Sequence, residues 1–376
     1  MSELVKYFEA RREQLIELIR SFVEIETPSG DATRIGQLAE LVAKHLLELG
    51  ARVDIITTAG GPSVHALVGA SETKPRLLIV GHCDTVWPTG TLARLPFRKA
   101  DGCLYGPGVF DMKSGIAITL AALGALQQLR RQPARPLELF FSCDEEQGSH
   151  STRAQIEEMA RNAHAALVLE PPLPGGRVKT ARKGIGQYRL IAQGRAAHAG
   201  VAPEKGISAV EELSHQVIKL HSLTDHARGI SVNVGVIAGG TMSNVVAAEA
   251  SAEIDVRFWT QADEAHIVTA LNSLKPVLPG AQIKVNGYVN RPPLERSPGI
   301  VELYQHARTL AHELGFELNE GKTGGGSDGN FIAAIGTPVL DGLGPDGDGA
   351  HAEYEHVLID NLAPRAALIT RLLETL

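Results

Sequence analysis

The sequence predicts an α/β fold: a mixed, mainly parallel sheet covered by helices, with a smaller α+β domain inserted into it. Three features carry that expectation. Apolar runs of strand length alternate with helix-period segments through residues 1–182. The order then becomes β-α-β-β-α-β across residues 183–291, a ferredoxin-like pattern complete in itself. The first character returns over residues 292–376, so the middle domain interrupts the outer one, and insertion at an exposed loop is physically cheap.

Size and composition agree. The chain has 376 residues, more than one ordinary domain of roughly 100–200 residues holds. With 44% apolar and 21% charged residues, it has the material for a large core. A net charge of −7 argues against a nucleic-acid or anionic-membrane partner. No uninterrupted apolar run reaches the roughly 18 residues of a membrane span. Residues 1–22 show charge and helical periodicity rather than the apolar core of a secretory signal. Cys83, Cys103 and Cys143 are too few for a disulfide framework, so the expected compartment is the cytoplasm.

The elements follow in order. Leu15, Leu18, Ile19, Phe22 and Val23 keep helical spacing, as do Ile35, Leu38, Ala39, Val42 and Leu46 after a capping Asp31. Strands are expected at 51–57, 64–69 and 76–81, the last a continuous apolar run typical of a strand buried on both faces. Residues 114–129 read as a helix, 137–143 as a second buried strand, 151–162 as a helix, and AALVLE as a strand ending at Glu170. In the inserted domain, strands at 186–193, 230–237, 247–259 and 282–289 alternate with helices at 208–221 and 262–274. A helix ending at Leu314 and another near 361–376 complete the outer domain.

The chemistry gathers at strand ends. His82 and Asp84 follow the first buried strand on one face, where an aspartate can fix the histidine tautomer for metal binding. Asp111 opens the helix at Ser114. Asp144, Glu145 and Glu146 follow the second buried strand, and such a carboxylate run calls for a cation or a shared proton. Glu170 closes a third strand, and His351 sits in a late loop. Open α/β sheets bind ligands at the carboxyl ends of their strands. Two histidines and three carboxylates suit a pair of Zn²⁺ ions sharing one carboxylate.

The segments GHCDTVWP, YGPGVFDMKSG, SCDEEQGS, LVLEPP, GRAAHAG and GAHAEYEHV, in this order, resemble the co-catalytic zinc metallopeptidases. That family includes glutamate carboxypeptidase (carboxypeptidase G), aminoacylases, acetylornithine and succinyl-diaminopimelate deacylases and peptidase T. The resemblance spans nearly the whole chain and is nearest to the glutamate carboxypeptidase type. It implies a zinc-exopeptidase-like catalytic domain over 1–182 and 292–376, with a lid and dimerisation domain over 183–291. It implies His82 and Glu170 on one zinc, Glu146 and His351 on the other, and Asp111 as the bridge, with Co²⁺ or Mn²⁺ as substitutes. Glu145 matches the general base and acid acting on a metal-bridging hydroxide, and Asp84 the partner of His82. His198 matches a lid histidine that polarises the scissile carbonyl, Asn244 the lid asparagine, and Arg291 the arginine that holds the substrate carboxylate. The family also carries a cis peptide at the position of Asp111–Met112. Gly324–Asp328 matches a glycine-rich loop whose amides, at Gly325 and Gly326, would form an anion nest. The implied substrate is a small peptide or N-acyl amino acid, and the implied assembly a homodimer.

Within the family, a glutamate carboxypeptidase is the first expectation and an N-acyl-amino-acid deacylase the second. Outside it, Ser327 sits in a G-x-S-x-G match, followed by Asp341 or Asp346 and then His351 in the order of α/β-hydrolases. The residues before it, ELNEGKTG, are polar where that elbow needs a buried strand. A non-catalytic scaffold on the same fold would have lost ligands, whereas this chain keeps all five and the base.

Overall fold

The computed structural model describes residues 2–69 and 74–376. The chain forms two compact units. The first comprises Met1–Ala181, Arg296–Thr323 and Ser327–Leu376; the second comprises Arg182–Glu295 together with Gly324–Gly326. The glycine loop therefore groups with the second unit, not with the outer domain in which the sequence reading put it.

A six-stranded mixed sheet organises the first unit. Its order is Arg52–Thr58, Gly61–Val68, Leu137–Ser142, Arg76–His82, Ala163–Val168 and Val339–Leu340. Three pairings are parallel, those of Arg76–His82 with both neighbours and of Val339–Leu340 with Ala163–Val168. The two pairings at the Arg52–Thr58 edge are antiparallel. Leu137–Ser142 is buried along its whole length and Arg76–His82 along all but its first residue, as continuous apolar runs require when helices cover both faces.

The N-terminal region holds three helices rather than two: Glu3–Glu9, Arg12–Val23 and Ala32–Glu48. Asp31 caps the third, accepting the Arg34 N–H at 3.1 Å. Helix Ser114–Gln128 packs against Ile359–Thr375 and Arg12–Val23. By length and composition Val109–Gln128 is apolar enough to cross a membrane, but 83% of its most apolar stretch is buried inside this unit, which makes it a core helix. Gly115 lets it approach the segment that follows strand Ala163–Val168: a Cβ there would lie 2.3 Å from the Leu169 carbonyl oxygen. A small sheet with no strong sequence signal, ordered Gly347–Asp348, His356–Leu358, Cys103–Tyr105 and Arg98–Ala100, joins the late chain to the segment before Asp111.

The second unit has its own apolar core. Four antiparallel strands run in the order Ser231–Gly239, Glu249–Phe258, Gly184–Gln193 and Gln282–Arg291. Helices Ala209–His221 and Gln261–Asn272 complete a β-α-β-β-α-β chain order. Ser208 caps the first of these helices through the Glu211 N–H, and Thr260 caps the second through that of Asp263. Ser231–Gly239 is an edge strand on which Val236 and Ile237 are each 58% exposed.

Candidate metal centre

Register brings the donors of the first unit together. Val80 lies opposite Val168, so His82 and Glu170, each two residues further on, leave the sheet at one level. His82 lies opposite Ser142, which sets the Asp144–Glu146 turn beside it. Asp111 arrives from the loop before Ser114, across a cis Asp111–Met112 peptide. His351 comes from the late loop with φ +65°, a left-handed conformation that a non-glycine residue adopts at a cost of about 1–3 kcal/mol.

Asp111 is the hub. Its Oδ1 lies 3.1 Å from His82 Nε2 and its Oδ2 lies 3.5 Å from His351 Nε2. Each histidine has a glutamate of its own: Glu170 Oε1 at 3.5 Å from His82 Nε2, and Glu146 Oε2 at 3.1 Å from His351 Nε2. Ligand atoms of His82, Asp111 and Glu146 lie within 4.8 Å of one another, as do those of His82, Glu145 and Glu170. Glu145 is thus in the cluster with one histidine–glutamate pair.

Asp84 acts differently from the simple sequence picture. The nearest acceptor for His82 Nδ1 is the Asp84 main-chain carbonyl at 2.9 Å, with the carboxylate at 3.5 Å. A proton held there leaves Nε2 as the free ring nitrogen facing Asp111 and Glu170. The Asp84 carboxylate also accepts the N–H groups of Glu145 and Glu146 at 3.1 and 3.2 Å, and the Ser29 hydroxyl at 2.7 Å. It fixes the main chain of both glutamates. Asp144, the remaining member of the acidic run, accepts the Ser151 N–H and the hydroxyls of Ser151 and Thr152, which keeps it out of the cluster.

The electrostatics are those of donors sharing protons. Burial works against a charged His82, but hydrogen bonds to Asp111, Asp84 and Glu170 outweigh it and hold its pKa well above the ordinary value. Asp111 and Glu146 raise His351 to about 10. Burial opposes ionisation of Asp111, yet the two histidines hold its carboxyl well below the usual range. Burial pushes Glu146 up. Its Oε1 is buried with no hydrogen-bond partner among the described residues, an orphaned acceptor aligned with a cation's needs. Imidazole nitrogens and carboxylate oxygens are the donor set that Zn²⁺ and similar divalent ions take. The residues present fit a metal.

The other predicted residues lie in the second unit. His198 and Asn244 are both exposed, on facing segments: His198 bridges Val245, and the Asn244 carbonyl accepts the Ala199 N–H at 2.9 Å. The Gly200 N–H donates to His198 Nδ1 at 3.1 Å, so the neutral ring carries its proton on Nε2. Arg291 is 3% exposed and lies against Gly326, where a Cβ would meet Arg291 Cδ at 2.5 Å. The carbonyls of Gly325 and Gly326 accept from the buried Arg182 guanidinium at 3.3 and 2.8 Å. The sequence reading did not anticipate that arginine. Ser327 is fully buried and gives its hydroxyl to Asp341 at 2.6 Å, so the serine is tied to a carboxylate and not to a histidine.

Glu355 was also missed. Its buried carboxylate accepts from Trp87 Nε1 and from the N–H groups of Gly108, Phe110 and Asp111. Its only sequence signal is its place four residues after His351, inside GAHAEYEHV.

Carboxylates and imidazoles gathered at the carboxyl ends of a mixed sheet define a metal-dependent hydrolase. Residues 78–375 match the model of Peptidase family M20/M25/M40, and the chain belongs to that family, whose members hydrolyse peptide or amide bonds. It is 32% identical over 366 residues to carboxypeptidase G2 of Pseudomonas sp. (strain RS-16), covering 96% of this chain and 88% of that protein. It is 28% identical over 331 residues to a succinyl-diaminopimelate desuccinylase of Paracidovorax citrulli (strain AAC00-1), covering 83% of each. The crystal structure of aminopeptidase PepT from Bacillus cereus ATCC 10987 superposes with a TM-score of 0.77 at 23% identity, over 96% of this chain and 98% of that one, which speaks to the fold.

Proposed function

We propose that this protein is a di-zinc exopeptidase of the glutamate carboxypeptidase type, releasing an amino acid with a free α-carboxylate. The observation that carries the reading is Asp111 between two histidines, each paired with its own glutamate. His82 and Glu170 would hold one ion, Glu146 and His351 the other, and Asp111 both. When bound, the ions supply Lewis acidity, polarising an amide carbonyl and making water a stronger acid at neutral pH.

The chain's residues supply the rest. Glu145 stands beside the ligand Glu146 with its main chain fixed by Asp84, and takes a proton from the attacking water. It returns that proton to the leaving amine nitrogen. His198, with its proton on Nε2, donates to the developing oxyanion. Arg291 and the amides of Gly325 and Gly326 bind the substrate carboxylate, with Asn244 beside His198 assisting. The similarity to carboxypeptidase G2 over 96% of the chain supports the peptidase reading. The desuccinylase similarity supports the second reading, an N-acyl-amino-acid deacylase. A homodimer through the second unit is supported by the exposed Val236, Ile237 and Ile218. The three cysteines are free and buried, which supports a reducing compartment such as the cytoplasm.

A panel of C-terminal dipeptides and N-acyl amino acids, assayed with added Zn²⁺ and then with chelator, tests the reading. Chelator-sensitive release of C-terminal glutamate is expected. Turnover of acyl amino acids alone would transfer the assignment to the deacylase, and chelator-resistant turnover would end both.

A further inference from the structure

Glu355 is 2% exposed, and one carboxylate there serves four N–H donors. Oε2 accepts from Trp87 Nε1 at 2.7 Å and from the Gly108 N–H at 2.9 Å. Oε1 accepts from the N–H groups of Phe110 and Asp111 at 2.9 and 3.0 Å. Three of these donors belong to the loop that presents Asp111. The main-chain bonds of that wide, distorted turn are donated by Val109 to Gly106 and by Lys113 to Gly108; Gly108 is left-handed at φ +73°, and Asp111 and Met112 depart from helical angles before the helix begins at Ser114. Buried N–H groups without partners cost about 1–3 kcal/mol each, so this turn needs an internal acceptor. Converging main-chain N–H groups form a nest for an anion, and the anion here is a side chain of the chain itself.

The position of that side chain gives it a second consequence. Glu355 follows His351 by four residues, and its own N–H is held by the Ala352 carbonyl at 2.9 Å. The strand directly after it, His356–Leu358, pairs with Cys103–Tyr105 upstream of the same loop. A ladder and a carboxylate thus tie the segment carrying His351 to the loop carrying Asp111, and Trp87 adds the segment that follows His82.

We propose that Glu355 is a positioning residue of the metal centre, holding the Asp111 main chain at a fixed place relative to His351 and His82 through the N–H groups of Gly108, Phe110 and Asp111 and the indole of Trp87. The inference rests on the reading of Asp111 as a metal ligand. A carboxylate is required because all four contacts are donors. Glutamine keeps the shape but turns an NH₂ group toward N–H groups that need an acceptor.

The test compares the full-length wild type, Glu355→Gln and Trp87→Phe. Each is stripped of metal, checked for folding by thermal melting, and titrated with Zn²⁺ against a chromophoric chelator. Glu355→Gln is expected to fold without metal and to bind Zn²⁺ about 10–100-fold more weakly. Its kcat should recover as free Zn²⁺ is raised, with KM for substrate unchanged. Trp87→Phe leaves three donors in place and should lose affinity by only a few-fold. A residue that merely supports the fold would lower the melting temperature without moving Zn²⁺ affinity in the folded protein, and wild-type affinity in Glu355→Gln overturns the proposal. If that variant does not fold, amide hydrogen exchange in the metal-free wild type decides: slow exchange at Gly108, Phe110 and Asp111 is expected, and fast exchange there overturns it. Absence of Zn²⁺ binding by the wild type would remove the reading of Asp111 itself, a result distinct from unaltered binding in the variant.

Discussion

Metal binding should expel protons. In the metal-free protein His351 titrates at about 10, raised by Asp111 and Glu146. His82 lies well above its ordinary value despite burial, because Asp111, Asp84 and Glu170 favour its charged form. His351 is therefore protonated at pH 7, the neighbouring carboxylates bias His82 in the same direction, and an ion binds only the neutral ring. Loading should release the His351 proton, so the binding constant at that position should rise about tenfold per pH unit. Between pH 6 and 7.5 that is about thirtyfold, an upper bound because His351 is half exposed and solvent screens its partners. The sign for the metal-free fold is opposite. A raised histidine pKa stabilises the fold below the unfolded value of about 6.5 and loses that contribution as pH climbs through about 10. Metal-free and metal-loaded proteins should thus diverge in melting temperature as pH rises. Titration calorimetry of Zn²⁺ in two buffers of different ionisation enthalpy counts the protons, and melting curves follow the divergence. A count near zero, with affinity flat across this range, would refute the proton-sharing picture of the cluster.

Glu145→Gln should keep its metal content while kcat falls about 10²–10⁴-fold, measured by metal analysis and steady-state kinetics; near-normal turnover would remove Glu145 as the base. Gly115→Ala places a methyl 2.3 Å from the Leu169 carbonyl and should cost roughly 1–3 kcal/mol, seen as a melting temperature lowered by roughly 2–12 °C. An unchanged melting temperature would mean that the helix is not seated against that segment as described. Ile237→Lys, on the exposed edge strand of the second unit, should halve the mass by light scattering with stability changed by no more than about 0.5 kcal/mol; an unaltered mass would place any dimer contact elsewhere.

Much of this architecture could be read from the chain because local signals and tertiary structure agree. The runs ending at His82, Ser142 and Glu170 are mostly apolar and buried over nearly all of 77–82, 137–142 and 165–170, as central strands of a covered sheet need. Residues that follow such runs emerge at one edge, so the grouping of His82, Glu146 and Glu170 is a consequence of parallel register. Asp111 and His351 have no periodicity to announce them: one sits in an irregular loop before a helix and the other in a left-handed turn, so each was a weak signal singly, and the family resemblance gave them their roles. Glu355 was invisible because a glutamate in AEYEHV looks like solvated surface until the fold buries it beneath the Asp111 loop. The glycine loop shows the same limit. Its composition allowed an anion nest, but composition does not say that Arg182 already takes the carbonyls of Gly325 and Gly326. Asp84 was legible as the partner of His82, and its carboxylate lies 3.5 Å from Nδ1, but the sequence does not say that its main-chain carbonyl is nearer, at 2.9 Å, or that the carboxylate also holds two amides.

The most direct measurement is anomalous X-ray scattering at the zinc edge from crystals of the Zn²⁺-loaded protein. Two peaks are predicted on either side of the Asp111 carboxylate, one contacting His82 and Glu170 and the other Glu146 and His351. Peaks elsewhere in the molecule, or none within ligand distance of Asp111, would contradict the account.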